Sequence, residues 1–185
     1  MRFTPFVLLI FPLAAAGMTA CEDTSIFNEV ILLTDTVTIG VPTGPSGLPS
    51  AINISRPNGV EPVVTRPETP GDANLWDFAL RQGAGGELVL RPRVSTEGGI
   101  GPGILPTTQA FENISRASRA RSEYLTTPVT LTVGSAYLLR SQYSNGVSSC
   151  GGYAKAKVLE LNPAQATAKF ALVLNERCDD ERLED

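Results

Sequence analysis

The stretch between Cys150 and Cys178 constrains the fold more than any other, because it can be doubled back on itself in a register that keeps every charge off one face. Folding Tyr153–Asn175 about Ala164 sets Ala154 against Leu174, Ala156 against Leu172 and Val158 against Phe170. Each pair places a small or medium side chain opposite a larger one, as a packed layer requires, while Lys155, Lys157 and Lys169 fall on the other face. A slip of one residue would bury the lysines instead. The same register puts Cys150 opposite Cys178, and directly opposed residues in an antiparallel ladder lie about 4.5 to 5.5 Å apart at Cα, within disulfide range. The expectation is a disulfide-closed hairpin spanning roughly 29 residues, worth about 3.5 kcal/mol if unstrained. The alternative is two buried free thiols.

A chain of 185 residues with 42% hydrophobic and 18% charged residues has the composition of one ordinary globular domain. Its 17 glycines and 14 prolines favour short strands and turns over long helices. A formal charge of −4 is too mild to call for a nucleic-acid partner. The fold class expected is all-β: an antiparallel β-sandwich-like domain of about nine or ten strands, ending in the hairpin.

Residues 1–20 read as a lipoprotein signal peptide, with Arg2 near the start and an apolar run from Phe6 to Met18 that contains Pro12. Met18-Thr19-Ala20-Cys21 resembles the bacterial lipobox, whose cysteine receives diacylglycerol and becomes the new N-terminus. Lipidation of Cys21 would use the odd thiol that one disulfide leaves among three cysteines. The alternative is ordinary secretion, with cleavage after Ala16 or Ala20. Residues 21–25 then form a short tether reaching at most about 18 Å, and 26–185 a single all-β domain close to the membrane. Glu22, where an aspartate would signal inner-membrane retention, makes the outer membrane the expected address by the same resemblance.

Strands are expected at Val30–Ile39, as one strand or two short ones, and at Ala51–Ser55, Val63–Val64, Leu75–Arg81, Leu88–Leu90, Pro128–Gly134 and Ala136–Arg140. In Leu75–Arg81, Trp76, Phe78 and Leu80 point one way, and Asp77, Ala79 and Arg81 the other. Gly98–Gly103 lacks the Lys-Ser/Thr of a phosphate-binding loop and reads as a surface loop. Only Gln109–Tyr124 has the makings of a short helix, and its Arg116, Arg119 and Arg121 form either a solvated face or a contact for anionic headgroups. The acidic tail Asp179–Asp185 reads as solubilising. With no histidine and no spare cysteine, the one carboxylate pair to weigh for acid–base work is Asp77 with Glu87, more simply read as charges flanking an exposed strand.

Three stretches, Leu75–Arg81, Val133–Ser141 and Tyr153–Leu159, resemble in order the strands of the HmuY-like haem-binding lipoproteins, all-β haemophores anchored in bacterial outer membranes. The likeness spans most of residues 51–175. It implies an outer-membrane lipoprotein of that fold, but the two histidines that hold iron in the best-known members have no counterpart here. Met1 and Met18 would leave with the signal peptide, so the remaining axial candidates are Tyr124, Tyr137, Tyr143 and Tyr153. The function expected is that of an outer-membrane or surface-anchored lipoprotein with a structural or interaction role, no catalysis and no cofactor. Its partners would be the membrane, through the lipid, and an envelope protein. The alternative is an HmuY-like binding module for haem or another hydrophobic small ligand, with its ligand-binding residues unassigned.

Overall fold

The structure is a computed structural model that describes residues 30, 32–55, 63–94, 101–141, 151–177 and 179–184. Its strands are β1 (Leu32–Gly40), β2 (Ala51–Ile52), β3 (Val64–Thr65), β4 (Phe78–Gln82), β5 (Leu88–Pro92), β6 (Gly103–Thr107), β7 (Val129–Thr130), β8 (Ala136–Arg140), β9 (Tyr153–Asn162) and β10 (Thr167–Asn175). They form two antiparallel sheets of five, ordered β1-β10-β9-β8-β6 and β3-β2-β4-β5-β7, so the chain is an all-β sandwich.

The long hairpin β9–β10 anchors the first sheet, and its pairs are Ala154 with Leu174, Ala156 with Leu172 and Val158 with Phe170. Beyond Phe170 a bulge shifts the register, and Lys169 meets Glu160. The extra residue on β9 is Leu159, which is left exposed. At the turn Ala166 takes φ 51°, costing a non-glycine about 1 kcal/mol, and its carbonyl accepts the Val41 amide at 2.9 Å.

Between the sheets, Ile39, Ile104, Leu139, Phe170, Leu172 and Leu174 of one pack against Ile52, Phe78, Leu80 and Leu90 of the other, each with no more than 1% of its surface exposed. The chain changes sheets after β1, β5, β6 and β7. At the last crossing Gly134 takes φ 84°, and its amide donates to the Val158 carbonyl at 2.8 Å.

The outward face of the β9–β10 sheet is covered as well. Ile114, Ala117, Tyr124 and Leu183 pack on Ala136, Leu138 and Tyr153 to make a second core. Gln109–Tyr124 is therefore a lid rather than a helix: it holds only the 3-10 turns Phe111–Asn113 and Arg121–Glu123. The acidic tail is not a solvated appendage either, since Glu181 and Leu183 are both buried. Gly98–Gly103 is not wholly a loop, because Gly103 opens β6 and a Cβ there would stand 2.6 Å from that of Tyr124. Pro106 is tolerated in β6 because the strand lies at a sheet edge.

At the opposite edge, β1 has no strand partner beyond β10 among the described residues. Midway along it the Thr36 amide is taken by the carboxylate of Asp35 at 2.7 Å, and at its end the Gly40 amide by the Pro49 carbonyl at 2.8 Å.

Candidate functional site

On the outward face of the β9–β10 sheet the lid is held by charge. Lys155, on the face expected, is buried rather than solvated; its Nζ donates to the Ile114 carbonyl at 2.7 Å and lies 5.1 Å from the Phe111 ring. Burial holds its pKa below the usual lysine value, against the pull of Glu184 and Glu112. Lys157 pairs with Glu112 at 2.9 Å. Arg116 and Arg119 both bind Glu181, so two members of the expected arginine patch are committed within the protein. Burial raises the pKa of Glu181 more than any other single influence, yet the hydrogen bonds from both guanidiniums bring it down to about 2. Arg182 binds Asp180 at 2.6 Å and holds that carboxyl at about 2 as well.

The tyrosines are similarly occupied. Tyr124 donates to the Ser118 carbonyl at 2.9 Å and Tyr137 to that of Thr130 at 3.3 Å, and Tyr124, Tyr137 and Tyr153 are all buried. Burial raises the pKa of Tyr124 and Tyr153, against the phenolate that iron ligation needs. Arg140 is buried beside them, 5.5 Å from the Tyr124 ring, with one hydrogen bond to the Gly101 carbonyl and its Nε unpaired.

The outward face of the β4–β5 sheet differs, because a groove of about 650 Å³ remains open there. Phe78, Leu80, Leu88 and Leu90 face the core, so alternation turns Arg81, Val89 and Arg91 outward. Val89 pairs with Thr130 and forms the floor, and Thr126 and Thr127, on the chain leading into β7, complete the wall. Arg81 is half-buried and donates to its neighbour's carbonyl, that of Leu80, at 2.9 Å. Desolvation lowers its pKa first and the charge of Arg91 second, with Glu68 opposing. Among the described residues no carboxylate forms an ion pair with either arginine. Glu87 also lines the groove, but its carboxylate folds back over Gly83, where an added Cβ would collide with it.

Asp77 and Glu87 are not brought together. Asp77 lies just before β4 and Glu87 just before β5, at opposite ends of one antiparallel hairpin. Asp77 does not face solvent: it is 1% exposed and accepts the amides of Ile54 and Ser55, each at 2.9 Å, and the Ser55 hydroxyl at 3.1 Å. Trp76 precedes the strand, outside the core, with Arg93 5.8 Å from its ring. Cys21, Cys150, Cys178, Tyr143 and the signal segment lie outside the described residues. No described helix is long and apolar enough to cross a membrane.

Sequence reasoning placed Arg81 on the outward face but did not pair it with Arg91. Alternation through Leu88–Pro92 was the available signal. The molecule is defined as an all-β sandwich with one outward face closed by its own chain and the other grooved and basic. No family model, no curated protein and no solved structure matches the chain.

Proposed function

We propose that this chain is an outer-membrane or surface-anchored lipoprotein, tethered through Cys21, that acts by non-covalent interaction and not by catalysis. The observation that carries the interaction half is the asymmetry of the sandwich. One face is closed by Lys155, Arg116, Arg119 and Glu181, whereas the other keeps Arg81 and Arg91 around an open groove. The anchor rests on the lipobox-like Met18-Thr19-Ala20-Cys21, and β1 beginning at Leu32 fits a domain held near the membrane.

A second reading, a binding module for a small ligand, draws on the groove's volume, which falls in the range of about 300 to 1,000 Å³ usual for such sites. The test is fractionation with photo-crosslinking in cells. Cys21→Ser should move the protein from the membrane to the soluble fraction. A photo-reactive residue at exposed Thr127 should capture an envelope component that one at exposed Ala120, on the lid, does not. Unchanged fractionation of Cys21→Ser would remove the anchor, and equal capture at both positions would remove the face.

A further inference from the structure

We propose that the groove over β4, β5 and β7 is an anion site, and that it takes a carboxylate-bearing small molecule between Arg81 and Arg91. This rests on the reading of that face as the interacting one. Arg81 pairs across the ladder with Val89, and Arg91 with Ala79, so the two arginines are diagonal neighbours on the same face, with Cα atoms about 7 to 8 Å apart. At that spacing two guanidiniums can close on one carboxylate from either side, each presenting a planar fork of donors that matches its oxygens.

Among the described residues no carboxylate forms an ion pair with Arg81 or Arg91. Glu87 is folded over Gly83 at the turn, and Glu68, the carboxylate whose charge reaches Arg81, accepts a hydrogen bond from Ser50 at 2.7 Å. Arg81 is half-buried beside a like charge, an arrangement that an anion would relieve. The rest of the groove is mixed, with Val89, Pro92, Val94 and Pro128 giving apolar contact beside polar groups that suit a carboxylate-bearing molecule. Thr126, Thr127 and Thr130 bring hydroxyls, Gln82 brings an amide, and among the described residues no aromatic side chain lines it. Its volume is that of a small-molecule site.

The test is calorimetric titration of the purified full-length protein with citrate and with inorganic phosphate, at an ionic strength of about 20 mM where screening is slight. Sodium chloride at matched ionic strength is the control. Citrate should bind saturably at one site, and more tightly than phosphate, because its several carboxylates can reach the threonine hydroxyls as well as both guanidiniums. Arg81→Gln and Arg91→Gln should each weaken citrate by about tenfold or more, and Arg81→Lys, which keeps the charge but not the fork, by less. Both arginines project from the sheet away from the core, so a thermal melt close to that of the unaltered protein should confirm that each variant folds.

Citrate heats no larger than those of sodium chloride, phosphate binding tighter than citrate, or citrate affinity unchanged in the double glutamine variant would each overturn the inference. Failure of this titration with the Thr127 crosslink retained would remove the anion and leave the interacting face. Loss of the crosslink as well would remove both.

Discussion

A carboxylate as thoroughly buried as that of Asp77 must find donors, and it finds them in the segment that follows β2, remote in sequence: the amides of Ile54 and Ser55 and the Ser55 hydroxyl. It therefore works as a staple between the end of β2 and the start of β4. Asp77→Ala should cost about 3 kcal/mol, since it orphans several donors at once, whereas Asp77→Asn should cost less because one accepting oxygen survives. Urea unfolding of both variants checks this, with Val94→Ala at an exposed site as the reference. A loss at Asp77→Ala no greater than at Val94→Ala would mean that the staple carries no load. Strict alternation through Leu75–Arg81 turned Asp77 outward, because nothing local in the sequence says that the strand begins only at Phe78 or that Ile54 and Ser55 arrive beside it. Lys155 repeats the lesson. Its face was legible from the hairpin register, but the lid that covers that face comes from residues about forty positions away.

The lid and the C-terminal segment form one element by contact, since the Ala117 amide donates to the Glu181 carbonyl at 2.8 Å and the Leu183 amide to the Ser115 carbonyl at 2.7 Å. Glu181, held at about 2 in the folded protein, would titrate near 4.3 in the unfolded chain. A depressed carboxyl contributes its stability above the unfolded value and loses it as pH falls towards the folded one. Amides of Ala117 and Leu183 should therefore lose hydrogen-exchange protection between roughly pH 4 and pH 2, while those of β10 hold. Glu181→Gln should weaken protection of the two lid amides already at neutral pH and flatten that dependence. Simultaneous loss in lid and hairpin would show that the lid does not open separately. Among the elements, the β9–β10 hairpin and the β4–β5 hairpin were readable because two-residue periodicity runs through both. β6 was hidden in Gly103-Ile104-Leu105-Pro106, where glycine and proline read as loop although the edge position makes proline harmless. The bulge at Leu159 was equally silent, because it changes the register without interrupting the apolar pattern.

At the scale of the whole molecule, the sandwich closes at its hairpin end through Gly151 and Asp179, the chain neighbours of Cys150 and Cys178. The Asp179 amide donates to the Gly151 carbonyl at 2.9 Å, and the Gly151 amide to the Asp179 carboxylate at 3.1 Å. Cys150 and Cys178 themselves lie outside the described residues, so the disulfide expected from the hairpin register is a matter for chemistry. Non-reducing peptide mapping should return the peptides of Cys150 and Cys178 joined, and two thiols separately alkylated in the native protein would refute the bond. The two-sheet architecture followed from composition and strand count. The site did not, because a groove is a relation between β4, β5 and the chain entering β7, and no single stretch encodes it. The guarded edge of β1 matters most for a protein fixed to a surface. Anchored chains meet their neighbours in two dimensions, at lateral densities that free diffusion never reaches, and always in similar orientations. For the anchored lipoprotein proposed above, an open nine-residue edge would then template ribbons of the protein across the membrane surface. Asp35 occupies the Thr36 amide and places a carboxylate at the middle of that edge, which disfavours pairing of two like edges and would leave copies so anchored free to slide past one another.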